Sequence, residues 1–356
     1  MSATQTQGSA DPLGHGLLQY RLGRSREALR ALTGAPLPFP KTDPAMKRWV
    51  VTGAGCSEAH ARFTVDLLSR YAEQEATYWP LSDFLERQPP PSTGLVVFSQ
   101  GLSPNACLAL GRIRSFASGL LISAIDPARL PQRMVGRSDT EAVLADWAAS
   151  GGQVCTLPVE REDRLWLRVV GPLAGYLAAL QWVEMLAPGA WPACPAVLLD
   201  RVFETAPAQV GSLDLDRFRD GCMILAAAPL CNYAQNLALK WVDGMRARLP
   251  QVVDYLAFPH GPYQSLLNHP LPVIILHGKS EAEQSLIHRA RTMLQGNTPY
   301  TWVLQSQLPD PWRMVEYEVV LNYLVLRAAG AWAVDLRHHE GRGDEGALYF
   351  LDAPTG

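Results

Sequence analysis

The sequence lacks a long hydrophobic run, is sparing with charge and shows no strong excess of either sign. Charged residues make up 18% of the 356 residues, and the formal net charge at pH 7 is −3. Non-specific nucleic-acid binding depends on many Lys and Arg contacts to phosphate. A bilayer-spanning helix needs about 18 or more consecutive apolar residues, and the longest candidate, residues 169–180, is shorter and contains Gly and Pro. We therefore expect neither a nucleic-acid nor a membrane partner.

The sequence also lacks a cysteine pattern of the kind that holds a metal or a disulfide framework. None of the six cysteines forms a Cys-x-x-Cys pair, and most lie in apolar runs. The first 15 residues are polar and rich in Gly, Ala and Ser, without the apolar core of a signal peptide. We therefore expect reduced thiols, a cytoplasmic location, no metal site and an N-terminal tail without regular structure.

Short apolar runs alternate with helical patterns along most of the chain. A helix is predicted over residues 17–32. Strands are then predicted in the first half of the chain over 48–52, 76–79, 94–98, 119–125 and 154–157, and a long apolar helix follows over 165–186. After the Pro-rich segment 188–195 come strands over 221–226, 252–257, 272–276 and 300–304, with helices over 230–249, 281–294 and 315–329. Continuous apolar strands between helices indicate parallel sheets that are covered on both faces.

The alternation occurs twice, which predicts an α/β chain with two similar domains. We place the first domain at residues 41–190 and the second at 200–336. An N-terminal tail and helix over 1–40 precede them, and a charged, Gly-rich tail over 337–356 follows. In such doubly wound domains, ligands bind at the carboxyl ends of the strands.

A glycine loop follows the first predicted strand. Residues 53–57 read Gly-Ala-Gly-Cys-Ser, and the helix start that follows can attract an anion. Ser57 is expected at the N-cap, where its hydroxyl could bond either the backbone or a ligand; an ordinary capped turn is the alternative. A dinucleotide fingerprint would need glycine in place of Glu58, so no nucleotide cofactor is expected.

A second polar loop follows the predicted strand at residues 94–98. Ser99 and Gln100 come directly after the apolar residues, and Ser103 is available to cap the next helix. Turn and cap chemistry alone could also explain these residue types.

The two loops together resemble those of the SIS (sugar isomerase) family. In that family a Gly-x-Ser loop and a Ser-Gln-Ser-Gly-Glu-Thr loop bind a sugar phosphate; here residues 55–57 match the first loop, and Ser99 with Gln100 matches the start of the second. The resemblance implies two doubly wound, three-layer αβα SIS domains, with Gly55, Cys56, Ser57, Ser99, Gln100 and Ser103 binding the substrate. The family's second serine and its threonine are Gly101 and Pro104 here, although Ser103 or Asn105 could substitute.

The second half carries a Lys, an Asp and a His at a suggestive spacing. Lys240 and Asp243 lie three residues apart in a predicted helix and share a face, and His260 follows in a His-Gly-Pro turn. Two plainer readings stand beside a catalytic one. Lys240 and Asp243 could form a surface ion pair, and His260 could bond the backbone of its turn.

This pattern is similar to the isomerase domain of glucosamine-6-phosphate synthases, which belongs to the same family. The resemblance implies that Asp243 is the base that moves a proton between two sugar carbons and that Lys240 is its polar partner. It also implies that His260 opens the sugar ring in the site of a neighbouring subunit, and hence a homodimer. Isomerisation of this kind needs a carboxylate whose pKa is raised toward neutrality.

The C-terminal part of the chain matches the family less well. Asp335 and Arg337 fit the start of a tail that carries a Schiff-base lysine in the synthases, but no lysine follows Lys279. Arginine stays protonated and cannot form an imine, so no Schiff base is expected. His338 and His339 could still face a pocket, and a solvated tail is the plainer interpretation. The acidic residues around Glu162 match a region where family members often carry a Glu near an interface, or they simply begin a helix.

The resemblance implies an isomerase or deaminase-type enzyme acting on a sugar or amino-sugar phosphate, without a cofactor. One alternative is a non-catalytic sensor that binds a sugar or sugar phosphate. The other is a diverged enzyme of the same fold that accepts a non-phosphorylated substrate, because two phosphate donors are missing at Gly101 and Pro104.

Overall fold

The computed structural model describes residues 11–41, 43, 45–126, 130, 138–160, 162–340 and 348. Contacts within the chain divide it into two units. The first-sheet unit comprises Ala28–Glu162 and Val170–Pro192, and the second-sheet unit comprises the chain up to Glu27, Asp163–Val169 and Ala193–Glu340. The predicted irregular residues 1–10 and most of the tail beyond 340 lie outside the described residues. The domain boundaries drawn from the sequence stay predictions.

The first sheet has five parallel strands. In chain order the elements are α1 (His15–Gly34), β1 (Arg48–Gly53), α2 (Cys56–Tyr71), β2 (Glu75–Tyr78), β3 (Thr93–Phe98), α3 (Pro104–Leu110), β4 (Ser118–Ser123), α4 (Ser138–Ala149), β5 (Gly152–Thr156) and α5 (Val170–Leu186). The strand order is β2-β1-β3-β4-β5. Because β1 lies between β2 and β3, the chain reverses its direction of travel across the sheet between β1 and β3.

Both faces of the first sheet are buried, as the continuous apolar strands predict. Val50, Leu95 and Leu121 point to one face and pack with residues of α3 and α4, including Trp147. Successive strand residues point to opposite faces, so Trp49 lies on the other face. There its ring meets Trp182 of α5 edge-on, with ring centroids 5.1 Å apart.

The second sheet has four parallel strands in the order β7-β6-β8-β9. Its unit contains α6 (Ala196–Gly211), β6 (Met223–Ala226), α7 (Leu230–Tyr233), α8 (Gln235–Met245), β7 (Gln251–Asp254), α9 (Pro262–Asn268), β8 (Val273–His277), α10 (Glu281–Leu294), β9 (Thr301–Gln305) and α11 (Arg313–Ala331). Residues of α9 and α10 pack on Leu225 and Ile275 on one face. Helix α11 contacts both α6 and α8, and the three helices form a second helical layer. The predicted α/β fold with parallel sheets between helical layers is confirmed.

The structure differs from the sequence prediction mainly in its helices. Helices α4, α6 and α9 were not predicted, and the helix predicted over 230–249 is divided at Ala234 and ends at Met245. Arg246 then adopts a left-handed conformation, with φ 55°, which stops the helix. The long apolar helix begins at Val170 rather than at 165, because Pro172 fits only in a first turn. Within the described residues no helix combines the length and apolar character needed to cross a membrane.

Glycines on neighbouring strands make room for a large aromatic side chain. A Cβ at Gly119 would overlap Ile113 and lie 2.6 Å from the Trp147 ring, which Gly152 also approaches closely. Trp147 is almost fully buried, and its indole N–H donates to the carbonyl of Gln153 at 3.2 Å. The fit of this ring against the sheet therefore depends on the absence of side chains at these two strand positions.

We expect Gly119→Ala to lower the free energy of unfolding by about 1–3 kcal/mol, because the methyl group overpacks the core around Trp147. Urea denaturation followed by tryptophan fluorescence measures the change. The matched control is Gly23→Ala, at an exposed position of α1 where a Cβ meets nothing within 4 Å. That substitution should raise the free energy of unfolding by about 0.5–1 kcal/mol. Equal effects at the two glycines would contradict the packing account.

Candidate functional site

The loops after β1 and β3 leave the same edge of the first sheet. The two strands are neighbours and parallel, with Val51 opposite Val96 and Gly53 opposite Phe98. Their carboxyl ends therefore lie side by side where the strand order reverses, the position at which open α/β sheets bind ligands. We call this group of loops, together with the residues that contact them, the first-sheet edge.

The loop after β1 holds Ser57 differently from the prediction. Gly55, at φ 59° and ψ −130°, is the N-cap of α2, and the helix begins at Cys56. The expectation that Ser57 is the N-cap is therefore wrong: Ser57 is the second helical residue, and only 4% of it is exposed. The positive φ of Gly55 disfavours other residues there and lets the chain turn sharply from strand into helix.

The loop after β3 contacts the first loop through Gln100. Its amide Oε1 accepts a hydrogen bond from the Cys56 thiol, with the two atoms 3.8 Å apart. The amide Nε2 is buried and has no hydrogen-bond partner within the described part of the chain. Ser99 is also buried, and its hydroxyl accepts from the backbone N–H of Ser103 at 3.2 Å. Ser103 is the N-cap of α3, but its own hydroxyl makes no capping bond.

The N-terminus of α5 is a third part of this edge, which the sequence prediction missed. A Cβ at Gly171 would overlap the amide of Gln100, so the absence of a side chain there lets the two segments meet. The backbone N–H of Gly171 donates to the Glu162 carboxylate at 2.7 Å. The Gly171-Pro172 pair within an apolar run was the available signal. Its importance depends on a contact with Gln100, seventy-one positions earlier in the numbering.

A charged group lies beside the β1 loop. Arg62 pairs with Glu58 one turn away on α2, with Nε and Oε1 2.8 Å apart, and its guanidinium lies 4.0 Å over the ring of Tyr78. The Tyr78 hydroxyl donates to the carbonyl of Gly53 at 3.4 Å. Burial, followed by the charge of Glu58, raises the pKa of Tyr78 to about 12. Tyr78 is therefore a neutral donor at physiological pH.

In the second-sheet unit, Asp243 is a half-buried carboxylate on α8. Burial raises its pKa above the ordinary value, although the positive groups of His339, Lys240, Arg246 and Arg168 act in the opposite direction. A carboxyl group whose pKa is shifted toward neutrality is a stronger base than an exposed one.

Lys240 lies in a buried polar network rather than at the surface. Its ammonium Nζ donates to Glu318 Oε1 and to Asn322 Oδ1, each at 2.6 Å, and the side chains of Lys240 and Glu318 are 2% and 0% exposed. Asn236 donates to the other oxygen of Glu318 at 2.9 Å. The alternative of a surface ion pair between Lys240 and Asp243 is therefore wrong. The signal for this network was Glu318 with Asn322, polar residues one turn apart in the largely apolar α11.

His260 lies in an exposed turn just before α9. Its backbone N–H donates to the carbonyl of Ala257 at 3.0 Å, and the structure shows no hydrogen bond to its ring. The alternative that the ring bonds its own turn is therefore not supported. Lys240 and Asp243 lie together on α8, whereas His260 belongs to the turn before α9.

The start of the C-terminal tail is held against α8. Arg246 donates to the carbonyl oxygens of Asp335, at 3.0 Å, and of His338. The half-buried ring of His339 lies 5.1 Å from the ring of Trp166 and is the charged group that acts most strongly on Asp243. The prediction of a wholly solvated tail is therefore wrong for residues 335–339, although the side chain of His338 is exposed. Arg246 and Trp166 were not predicted, because neither belongs to a motif.

No protein-family model matches the sequence, and no curated protein matches it. Solved structures do share its fold. The C-terminal domain of glucosamine-fructose-6-phosphate aminotransferase from Francisella tularensis is 13% identical, with a TM-score of 0.69, covering 90% of this chain and 97% of that one. Glucosamine-6-phosphate deaminase from Thermotoga maritima is 13% identical, with a TM-score of 0.66, covering 90% and 96%.

Tagatose-6-phosphate ketose/aldose isomerase from Escherichia coli is 14% identical, with a TM-score of 0.60, covering 96% of this chain and 93% of that one. All three similarities extend over nearly the whole of both chains. The fold implied by the SIS resemblance is therefore confirmed across both sheets. At this level of identity the likeness concerns the fold, and the chemistry has to be argued from the residues.

We expect Lys240→Met to lower the free energy of unfolding by about 3–5 kcal/mol, because it leaves the buried Glu318 carboxylate without its cation. Chemical denaturation measures the loss. The double variant Lys240→Met, Glu318→Leu should recover most of the stability, since it removes both charges together. If the double variant is as unstable as the single one, the ion pair is not the source of the loss.

Proposed function

We propose that this chain is an isomerase or deaminase-type enzyme acting on a sugar or amino sugar, with Asp243 as its base. The observation that carries the proposal is the half-buried Asp243 carboxylate. Burial raises its pKa, and the SIS resemblance assigns the base to this position. The fold is shared with a ketose/aldose isomerase and a glucosamine-6-phosphate deaminase. Fold and carboxylate together favour proton transfer next to a sugar carbonyl.

The proposed reaction needs a proton to move between two neighbouring carbons. The Asp243 carboxylate accepts a proton from the carbon beside the carbonyl group and returns it to the carbonyl carbon. The hydroxyl proton passes from one of the two sugar oxygens to the other, so that an aldose and a ketose interconvert. The raised pKa makes the carboxylate a better proton acceptor, and the charges nearby oppose part of the rise. Lys240 acts on Asp243 through its charge while its ammonium is bound to Glu318.

Substrate binding is assigned to the first-sheet edge, through Gly55, Cys56, Ser57, Ser99, Gln100 and Ser103. The buried amide of Gln100 supplies a hydrogen-bond donor that no described residue satisfies. Buried polar groups normally have partners, so an unsatisfied donor at a strand-end loop favours a ligand. The ligand is a sugar, or a derivative of one, whose hydroxyl groups can accept this bond.

His260 is proposed to open the sugar ring in the site of a second copy of the chain. The proposed active form is therefore a homodimer, and its proposed location is the cytoplasm. The exposed position of His260 supports this assignment, because the ring is available to another molecule. Exposed apolar side chains lie on the same segment, with Leu256 67% and Leu267 45% exposed. Apolar residues that flank an exposed functional group suit a contact surface.

A sugar-binding sensor is the second candidate function. Gly101 and Pro104 take positions where the family has hydroxyl groups, and the Lys240 ammonium bonds Glu318 rather than a group that meets substrate. A sensor would bind a sugar without converting it. A rise in melting temperature identifies the sugars that bind to the protein. Turnover assays on those sugars then separate the two functions.

We expect Asp243→Asn to reduce kcat by roughly 10²- to 10⁴-fold, the usual range for loss of a general base. The assay follows aldose–ketose interconversion of fructose, glucosamine and their 6-phosphates. Asp243→Glu keeps the carboxylate and should retain activity, and the exposed Asp220→Asn serves as the surface control. Equal turnover by wild type and Asp243→Asn would remove Asp243 as the base.

The raised pKa of Asp243 also predicts an effect on stability with a definite sign. A raised pKa means that the folded protein holds the proton more tightly than the unfolded chain, so this contribution to stability is lost as pH rises through the raised value. Asp243→Asn should therefore raise the melting temperature at neutral pH. The difference from wild type should vanish below the pKa of an unfolded Asp. A variant that is less stable than wild type at pH 7 would contradict the assignment.

Subunit mixing tests the role of His260. Asp243→Asn and His260→Ala homodimers should each be nearly inactive, whereas exchange of their subunits should restore part of the activity. Restoration follows because one of the two sites in a mixed dimer then carries both intact residues. Absence of any restoration, with subunit exchange verified by mass spectrometry, would place both residues in one subunit's site or exclude His260.

A further inference from the structure

We propose that His339 is a second catalytic residue of the reaction proposed above, carrying the hydroxyl proton between the two sugar oxygens while Asp243 moves the carbon-bound proton. This inference rests on the proposed function, because it adds a residue to that same reaction. It depends on how the start of the C-terminal tail is held against α8, next to Asp243. The residues that hold it all belong to the second-sheet unit.

The chain is fixed in the second-sheet unit where the C-terminal tail begins. Leu336 is fully buried, and its backbone N–H donates to the carbonyl of Leu13 at 2.9 Å. A ring N–H of His15 donates to the carbonyl of Val334 at 2.7 Å. The tail therefore leaves from a well-defined point in this unit.

Arg246, three residues after Asp243, brings the tail onto the end of α8. Its guanidinium donates to the carbonyl oxygens of Asp335, at 3.0 Å, and of His338. The left-handed backbone of Arg246, with φ 55°, turns the chain out of α8 at this point. His339 thus follows directly after a residue that is bonded to the end of the helix carrying Asp243.

The segment that contains Trp166 also connects the His339 ring with α8. A Cβ at Gly244 of this helix would lie 3.1 Å from the side chain of Leu167, so the segment packs against the helix there. Trp166, the neighbour of Leu167, contacts the His339 ring, with ring centroids 5.1 Å apart and the planes inclined at 54°. Two separate sets of contacts therefore place this ring beside the last turn of α8.

The electrostatic surroundings of Asp243 agree with this placement. Burial raises the pKa of Asp243, and the positive group that opposes the rise most strongly is His339, followed by Lys240, Arg246 and Arg168. Lys240 lies only one turn away on the same helix, and the interaction of two charges weakens with distance. The His339 ring therefore lies near the carboxylate.

A hydrogen bond of the His339 ring fixes which of its nitrogens can take up a proton. Nδ1 lies 2.6 Å from the carbonyl oxygen of Glu340. A carbonyl oxygen can only accept, so Nδ1 carries the hydrogen, and in the neutral ring Nε2 carries the lone pair. An imidazole held in one tautomer can accept a proton from one oxygen and give it to another.

The two residues divide the protons of the reaction between them. Asp243 takes the proton from the hydroxyl-bearing carbon, the electrons of that C–H bond form a carbon–carbon double bond, and the carbonyl oxygen becomes negatively charged. Nε2 of His339 accepts the proton of the neighbouring hydroxyl group and gives it to this oxygen. The second oxygen then forms the new carbonyl group, while the double-bond electrons take back the proton from Asp243 at the former carbonyl carbon. One proton has moved between carbons and one between oxygens, so no other reactant is consumed.

Paired substitutions at His339 separate a catalytic role from a structural one. His339→Ala removes the ring, whereas His339→Asn keeps a side-chain N–H that can donate to the Glu340 carbonyl but has no counterpart of Nε2. We expect both variants to lose roughly 10²- to 10⁴-fold in kcat on the sugars that the wild type converts, with little change in KM. The control His288→Ala, at an exposed position of α10, should keep the wild-type kcat.

Added imidazole gives a readout that a structural role would not move. At about 50 mM it should raise the kcat of His339→Ala at least about tenfold, because free imidazole can enter the space left by the ring and carry the proton. Asp243→Asn should gain nothing from imidazole, since it lacks the carboxylate. Circular dichroism confirms that each variant is folded.

A wild-type kcat in His339→Ala would overturn the inference and leave the proposed function standing. Wild-type activity in His339→Asn would also overturn it, since the ring would then only hold the tail through Glu340. So would a folded, inactive His339→Ala that imidazole does not restore. Failure of the wild type to convert fructose, glucosamine or their 6-phosphates would overturn the proposed function, and the inference with it.

Discussion

Burial of both faces of each parallel sheet is the constraint on which the rest of this structure depends. Strands such as β3 and β8 are buried along their whole length and largely apolar, because helices cover them on both sides. Polar chemistry is therefore displaced to the strand ends and to the helices that follow. Ser57, Ser99 and Gln100 occur at such ends, and Asp243 occurs on a helix. In each unit the polar residues of interest are confined to these places by packing.

The same constraint explains why buried charge in this chain is paired. Glu318 is fully buried on α11, and its carboxylate is satisfied by Lys240 and Asn236. An unpaired charge in that position would be strongly destabilising. Asp243 differs, because burial raises its pKa even with positive groups nearby. The proposed role of Asp243 depends on this difference.

The loops of the first-sheet edge satisfy several of their own backbone N–H groups. These N–H groups donate to the carbonyl oxygens of Ala54, Gly55 and Ser99, and Glu162 accepts a hydrogen bond at the start of α5. The amide nitrogen of Gln100 differs, because it is buried without a hydrogen-bond partner among the described residues. The way these loops use their N–H groups decides which donors are left for a ligand.

The sequence by itself determined the two parallel sheets, the ends at which polar residues gather, and the spacing of Lys240 and Asp243, because strand and helix patterns are local. It could not determine that Ser57 lies inside α2, that Lys240 bonds Glu318, or that Gly171 makes room for Gln100. Those outcomes depend on backbone dihedral angles and on contacts between residues some seventy or more positions apart. Packing in three dimensions decided which hydrogen-bond donors were left for a ligand. The periodicity of the sequence cannot predict these contacts, because it reflects only neighbouring residues.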